Sequence, residues 1–181
     1  MGDPIRVLVV DDSAAVRKIL KWGLELDAEI EVVGLAADAW TARDLIDRVA
    51  PNVITLDVDM PGMDGIELLE KLIPRRSIPV IMLSALTQRG SRTAFDAIAA
   101  GAVDFVAKPT AAVAQGLPAM LEELRQKIHV AARMNMTAWR TTRSETAGAL
   151  VPSPRRRAAG RGAPIVAIWA STGGPDAISA V

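Results

Sequence analysis

Between residues 5 and 133 one pattern repeats five times: a short, mostly apolar run, then a longer segment whose apolar positions recur every three or four residues. The apolar runs are 5–10, 30–35, 53–56, 79–83 and 103–106. They are too short for core helices and rich in Val and Ile, which suits strands buried on both faces. The segments between them read as helices. Ser13 stands where it caps the first, in which Val16, Ile19, Leu20 and Leu24 follow helical spacing. The others are expected over 38–49, over 64–72 with Gly62 and Gly65 loosening its entry, over 92–100 and over 117–133. Strands separated by helices of this length form βαβ units, a parallel sheet and right-handed crossovers. The expected architecture is α/β: a flavodoxin-like, doubly wound domain with a five-stranded parallel sheet.

A chain of 181 residues has room for one such domain and a tail. Its 21 Lys and Arg balance its 21 Asp and Glu, so no global charge draws it to nucleic acid or to an anionic membrane. The absence of cysteine excludes disulfides and thiolate-bound zinc and fits a reducing compartment. Met1-Gly2-Asp3-Pro4 leads directly into a strand, without the basic-then-apolar order of a signal peptide. No apolar segment reaches membrane-spanning length. The expectation is a cytoplasmic protein with no nucleic-acid partner and no membrane insertion.

After residue 133 the repeat stops. Residues 134–162 are rich in Thr, Ser, Ala, Arg and Pro and carry the basic cluster Arg155-Arg156-Arg157, which reads as a flexible linker. A buried-type strand returns at 164–169, followed by the tight turn Ser171-Thr172-Gly173-Gly174 and by Pro175 at a helix start. Three regions are therefore expected: a domain over 1–133, a linker over 134–162, and over 163–181 the first strand and turn of a second α/β domain.

The chemistry-bearing residues fall at strand ends. Asp11 and Asp12 follow the first strand, Asp57 the third, Ser84 the fourth and Lys108 the fifth. In an open parallel sheet, ligands sit in the crevice beyond those ends. Three converging carboxylates repel one another strongly, and a hard divalent cation resolves this; few carboxylates with waters and a phosphate suit Mg²⁺. Cation, ammonium and hydroxyl around one carboxylate make a site for phosphoryl transfer, with Asp57 as the attacking group. Any one of these residues alone reads as a turn or cap. The same types at the ends of four strands do not.

Residues 5–128 resemble a response-regulator receiver domain, through Asp11-Asp12, Asp57 before Met60-Pro61-Gly62-Met63-Asp64-Gly65, Ser84-Ala85 and Lys108-Pro109. The resemblance implies Asp57 as phosphoacceptor from a histidine kinase. It implies Asp12 and Asp57 as direct Mg²⁺ ligands, Asp11 near the metal and the Asp59 backbone carbonyl as a further ligand. It implies stabilisation of the phosphoryl group by Ser84 and Lys108, and a cis Lys108–Pro109 bond. Phe105 falls where the family has an aromatic that responds to phosphorylation; a lone Phe in a short strand is as readily core.

The first and third strand motifs, Phe105-Val106-Ala107-Lys108-Pro109, and the later Ala170-Ser171-Thr172-Gly173-Gly174-Pro175 resemble the chemotaxis protein-glutamate methylesterases. That resemblance implies a phosphorylation-controlled chemotaxis regulator that hydrolyses glutamate methyl esters of chemoreceptors, with receptor glutamine deamidation as a companion activity. Ser171 would be the nucleophile. Such a serine needs a histidine held by a carboxylate, which the family supplies from segments downstream of the residues here. The one histidine, His129, lies on the last helix of the first domain and is not read as that base. Trp169 stands where the family has glycine. These 181 residues are therefore expected to keep phosphoryl acceptance and to lack esterase activity. The alternative is a stand-alone receiver acting as a phosphate sink or docking module. A transcriptional regulator would require a basic helix-turn-helix output segment, and residues 134–181 show none.

Overall fold

The computed structural model describes residues 3–72, 78–84, 92–109 and 116–136. Five strands and five helices alternate along them: β1 (Ile5–Val10), α1 (Ala14–Leu24), β2 (Ile30–Ala36), α2 (Ala39–Val49), β3 (Val53–Asp57), α3 (Gly65–Leu72), β4 (Val80–Ser84), α4 (Arg92–Ala100), β5 (Asp104–Ala107) and α5 (Leu117–Ala132). The strands form one parallel sheet in the order β2-β1-β3-β4-β5. This is the flavodoxin-like doubly wound arrangement expected from the apolar runs.

Each strand feeds two cores because successive side chains leave a strand on opposite faces. Leu8, Val10, Ile54, Leu56, Val80 and Met82 pack on one side with residues of α2, α3 and α4. Val7, Val9, Val53, Ile81, Leu83 and Val106 pack on the other with Leu20 and Leu24 of α1 and Leu121, Leu124 and Ile128 of α5. Predominantly apolar runs are thus what a sheet covered on both faces requires.

Side chains start the helices. Ser13 Oγ accepts from the Val16 amide at 3.4 Å, Asp38 Oδ1 from Thr41 at 2.8 Å and Asp64 Oδ1 from Glu67 at 2.7 Å, each satisfying a donor the helix leaves unpaired. Four strands, β2 to β5, end one residue beyond the apolar runs. Asp57 pairs with Leu83, and Ser84 with Ala107, as the last rungs of their ladders. Asp57 and Ser84 are therefore held by sheet hydrogen bonding rather than carried on loops.

The Lys108–Pro109 bond, expected cis, is trans, as are all the described peptide bonds. Trans is the default even before proline, by about 0.5–1 kcal/mol. The Lys108 amide donates to the Ser84 carbonyl at 2.9 Å, which fixes the residue at the sheet edge with an ordinary bond after it.

A compact unit covers Met1–Met136, and Met136 itself is buried. The linker expected beyond 136, the strand expected at 164–169, Trp169 and the turn expected at Ser171 lie outside the described residues. Among the described residues no helix is long and apolar enough to cross a membrane.

Leu124 of α5 is fully buried between the sheet and α1. Leu124→Ala is expected to cost about 2–5 kcal/mol of unfolding free energy, the range for leaving a cavity in a packed core. Urea titration followed by far-UV circular dichroism measures it; a loss below about 1 kcal/mol would mean that α5 is not the cover of this core.

Candidate functional site

The order of strands reverses between β1 and β3, so the crevice at their carboxyl ends is the topological switch point of the sheet. Asp11 and Asp12 leave β1 there and Asp57 ends β3. One carboxylate oxygen from each of the three lies within 4.8 Å of the others. Asp11 and Asp57 are buried, whereas Asp12 is exposed.

Lys108 enters from the end of β5. Its Nζ lies 2.6 Å from Asp11 Oδ2 and 2.8 Å from Asp57 Oδ2, with its side chain mostly buried. Asp11 Oδ1 accepts from the Ser13 amide at 2.9 Å, so both oxygens of Asp11 are engaged. Asp57 Oδ1 accepts from the Asp59 amide at 3.3 Å. The Asp12 carboxylate makes no hydrogen bond or ion pair among the described residues, and it faces solvent. Of the three acids it is the one open to an incoming cation.

Burial pushes the Asp57 carboxyl above the ordinary range. The Lys108 hydrogen bond and charge oppose this, the Asp11 charge adds to it, and the Asp59 amide opposes it. Burial outweighs the ion pair. One ammonium shared between two carboxylates, with a third beside them, leaves the site short of positive charge.

The donor set fits a hard divalent cation. All three groups are carboxylates, their oxygens lie close enough to share one ion, and exposed Asp12 keeps one side open to the waters that Mg²⁺ retains.

Of the residues singled out by sequence, the structure brings Asp11, Asp12, Asp57 and Lys108 into one cluster. Ser84 is buried at the end of β4, the strand between those of Asp57 and Lys108, and Asp59 is tied to Asp57 through its amide. Phe105 is partly buried against the α2–α3–α4 core, with Lys127 Nζ 5.6 Å from its ring centroid. His129 is remote from this cluster in its contacts: Nε2 lies 2.8 Å from Asp27 Oδ2, between α5 and the turn after α1. Ser171 lies outside the described residues.

One residue was missed. Arg17 on α1 donates from one nitrogen to the backbone carbonyls of both Asp11 and Asp12, at 2.6 and 2.9 Å. An arginine in the first turns of an amphipathic helix reads as solvated, and only its offset from the acid pair hints otherwise. Gly65 was read as loosening the entry to α3, and the structure gives it a different role. A Cβ on Gly65 would fall on the Asp57 carbonyl oxygen, and the Gly65 amide donates to Val58 O at 3.0 Å. Glycine is required because α3 begins against the backbone of Asp57. The turn itself is made by Gly62, at φ +84°.

A family model of the response regulator receiver domain matches residues 7–121. The chain is 49% identical over 178 residues to a protein-glutamate methylesterase/protein-glutamine glutaminase of Syntrophotalea carbinolica, covering 98% of this chain and 50% of that protein. It is 46% identical over 178 residues to protein-glutamate methylesterase/protein-glutamine glutaminase 2 of Pseudomonas aeruginosa, covering 98% and 49%. The chain thus spans about half the length of the curated relatives it matches. Among solved structures it resembles the response regulator domain of Thermotoga maritima CheB, with TM-score 0.68 and 38% identity over 73% of this chain and 98% of that one. It also resembles the CheX-CheY-BeF3-Mg²⁺ complex of Borrelia burgdorferi, with TM-score 0.58 and 28% identity over 70% of this chain and 88% of that one.

Two outcomes follow from the packing around Asp57. Its raised pKa means that the ionised form disfavours folding. Asp57's contribution to stability is full below its unfolded-state pKa and is lost as pH rises through its folded-state pKa. In Mg²⁺-free buffer at pH 7, Asp57→Asn should therefore melt above the parent, and the gap should close as pH falls through the carboxylate range. An Asn variant that melts lower at pH 7 would show that the Lys108 pair outweighs burial. Gly65→Ala should lose about 1–3 kcal/mol in chemical denaturation, because backbone rather than a flexible side chain must yield.

Proposed function

The chain belongs to the response regulator receiver family, and on that premise we propose that it is a phosphorylation-controlled switch in which Asp57 accepts a phosphoryl group from a histidine kinase. The observation that carries this reading is the division of labour among the acids. Lys108 holds Asp11 and Asp57 with one ammonium, while the Asp12 carboxylate stays open to a cation beside them.

A carboxylate oxygen of Asp57 attacks the phosphorus of the donor phosphohistidine. The new P–O bond makes an acyl phosphate, the P–N bond breaks, and the imidazole leaves with the electron pair. Lys108, already at 2.8 Å, follows the negative charge from the Asp57 carboxylate onto a phosphoryl oxygen. The Ser84 hydroxyl donates to another. Asp12, Asp57 and the Asp59 backbone carbonyl would hold Mg²⁺, with Asp11 beside them as the anchor of Lys108. When bound, Mg²⁺ neutralises phosphoryl oxygens and the crowded carboxylates. The fit of the three carboxylates to a hard cation supports this, as does the Borrelia complex named for BeF3 and Mg²⁺.

The relatives' names support a chemotaxis role, with methylated chemoreceptors as the substrate of a longer protein that contains this receiver. In that protein Ser171 would be the esterase nucleophile. For these 181 residues the reading is phosphoryl acceptance without esterase activity. A serine needs a base, and the one histidine is engaged with Asp27.

Incubation with a small acyl phosphate and Mg²⁺ should label Asp57, as mapped by mass spectrometry. Asp57→Asn and excess chelator should each abolish the label, and Lys108→Ala should reduce its yield at least tenfold, on the order of the loss from removing one charge-stabilising donor. Label retained in Asp57→Asn would sink the site assignment. Label retained in chelator would sink the metal. Methanol release from methylated receptor should not exceed that of a Ser171→Ala control; release above it would overturn the esterase statement.

A further inference from the structure

The acid pair sits in the three-residue passage from β1 into α1, where no ladder partner holds the backbone beyond Asp11. The Asp11 amide still donates to Ala36 O at 3.1 Å, and Ser13 closes the far side through its amide to Asp11 Oδ1 and its hydroxyl cap. Between them the carbonyls of Asp11 and Asp12 both turn toward one group, Nη1 of Arg17, at 2.6 and 2.9 Å. Arg17 is itself anchored one turn into the helix, where its amide donates to Ser13 O at 3.0 Å. Charge-assisted bonds of this length are roughly twice as strong as neutral ones. Asp12 has no other restraint through its side chain among the described residues.

We propose that Arg17 is a positioning residue: by clamping the two carbonyls it fixes the backbone that aims Asp12, and so sets the affinity of the acid cluster for a divalent cation. This rests on the Mg²⁺ reading above. It goes beyond it, because the Arg17 guanidinium bonds the backbone carbonyls of the acid pair and is not among the proposed ligands.

The sign of the effect separates positioning from simple charge. A guanidinium near a cation site repels the cation, so Coulomb's law alone says that removing Arg17 tightens Mg²⁺ binding. Positioning says that removal loosens it, because the Asp12 carboxylate then samples directions away from Asp57. Groups that orient metal ligands without touching the metal typically contribute 10–100-fold in affinity, enough to outweigh a screened surface charge.

The test is calorimetric titration of the 181-residue chain with MgCl₂ at constant ionic strength, for the parent, Arg17→Met, Asp12→Ala and the double variant. Arg17→Gln serves as a second substitution, and the metal-free melting midpoint of each variant reports folding. The expected result is binding weakened about tenfold by Arg17→Met and Arg17→Gln. In the Asp12→Ala background the same change should add no further loss, which a general loosening of the fold would not reproduce. Unchanged or tighter binding in folded Arg17 variants would overturn the proposal, and so would an equal loss in both backgrounds. A parent with no saturable Mg²⁺ uptake would overturn the metal reading itself and this inference with it.

Discussion

The ammonium of Lys108 is the constraint on which the rest depends. It comes from just beyond β5 at one edge of the sheet and meets Asp57 at the end of β3 and Asp11 just after β1. Two nearly inaccessible carboxylates at adjacent strand ends would each be costly without a cation. One half-buried lysine makes both tolerable and ties the ends of three of the five strands together at their carboxyl edge. Pairs of this kind are weak evidence for stability, and their better-attested value is to specify an arrangement. Here the arrangement is a cluster with its second acid left open.

The site is under tension that the fold maintains rather than relieves. The Asp57 carboxyl is pushed upward by burial in spite of its lysine. Asp57 is nonetheless held on a sheet rung, by the Asp59 amide, and by the start of α3 lying so close that residue 65 must lack a Cβ. A carboxylate kept partly desolvated and short of positive charge is poised to gain from a cation and from esterification by a phosphoryl group. In the proposed reading, the same support would set where a phosphoryl group sits relative to Lys108 and Ser84.

Much of this was legible in the order of residues. Strand and helix positions follow from the alternation of apolar runs with helical spacing, because that alternation is what a sheet covered on two faces demands. The cluster of Asp11, Asp12, Asp57 and Lys108 was legible because each residue stands within two positions of the end of an apolar run, and strand ends converge in a doubly wound sheet. Arg17 was not legible, since an arginine at that position looks the same whether its guanidinium faces water or two carbonyls. Gly65 was read for the freedom of its backbone, although what selects it is the carbonyl of Asp57, eight residues earlier in the chain. The trans Lys108–Pro109 bond also departs from expectation. The backbone of Lys108 is placed by its bond to Ser84, and that bond appears only once β4 and β5 pair.

By itself the sequence determined the fold class, the run of elements and the end of the sheet at which the acids gather. All of these depend on periodicities read over a few neighbouring residues. Only the tertiary structure decided how the charges are shared: Asp11 saturated by Lys108 and Ser13, Asp57 paired yet raised by burial, Asp12 left to solvent. That allocation depends on distances between residues up to 97 apart in the chain and on which side chains lose water, quantities that no local pattern carries.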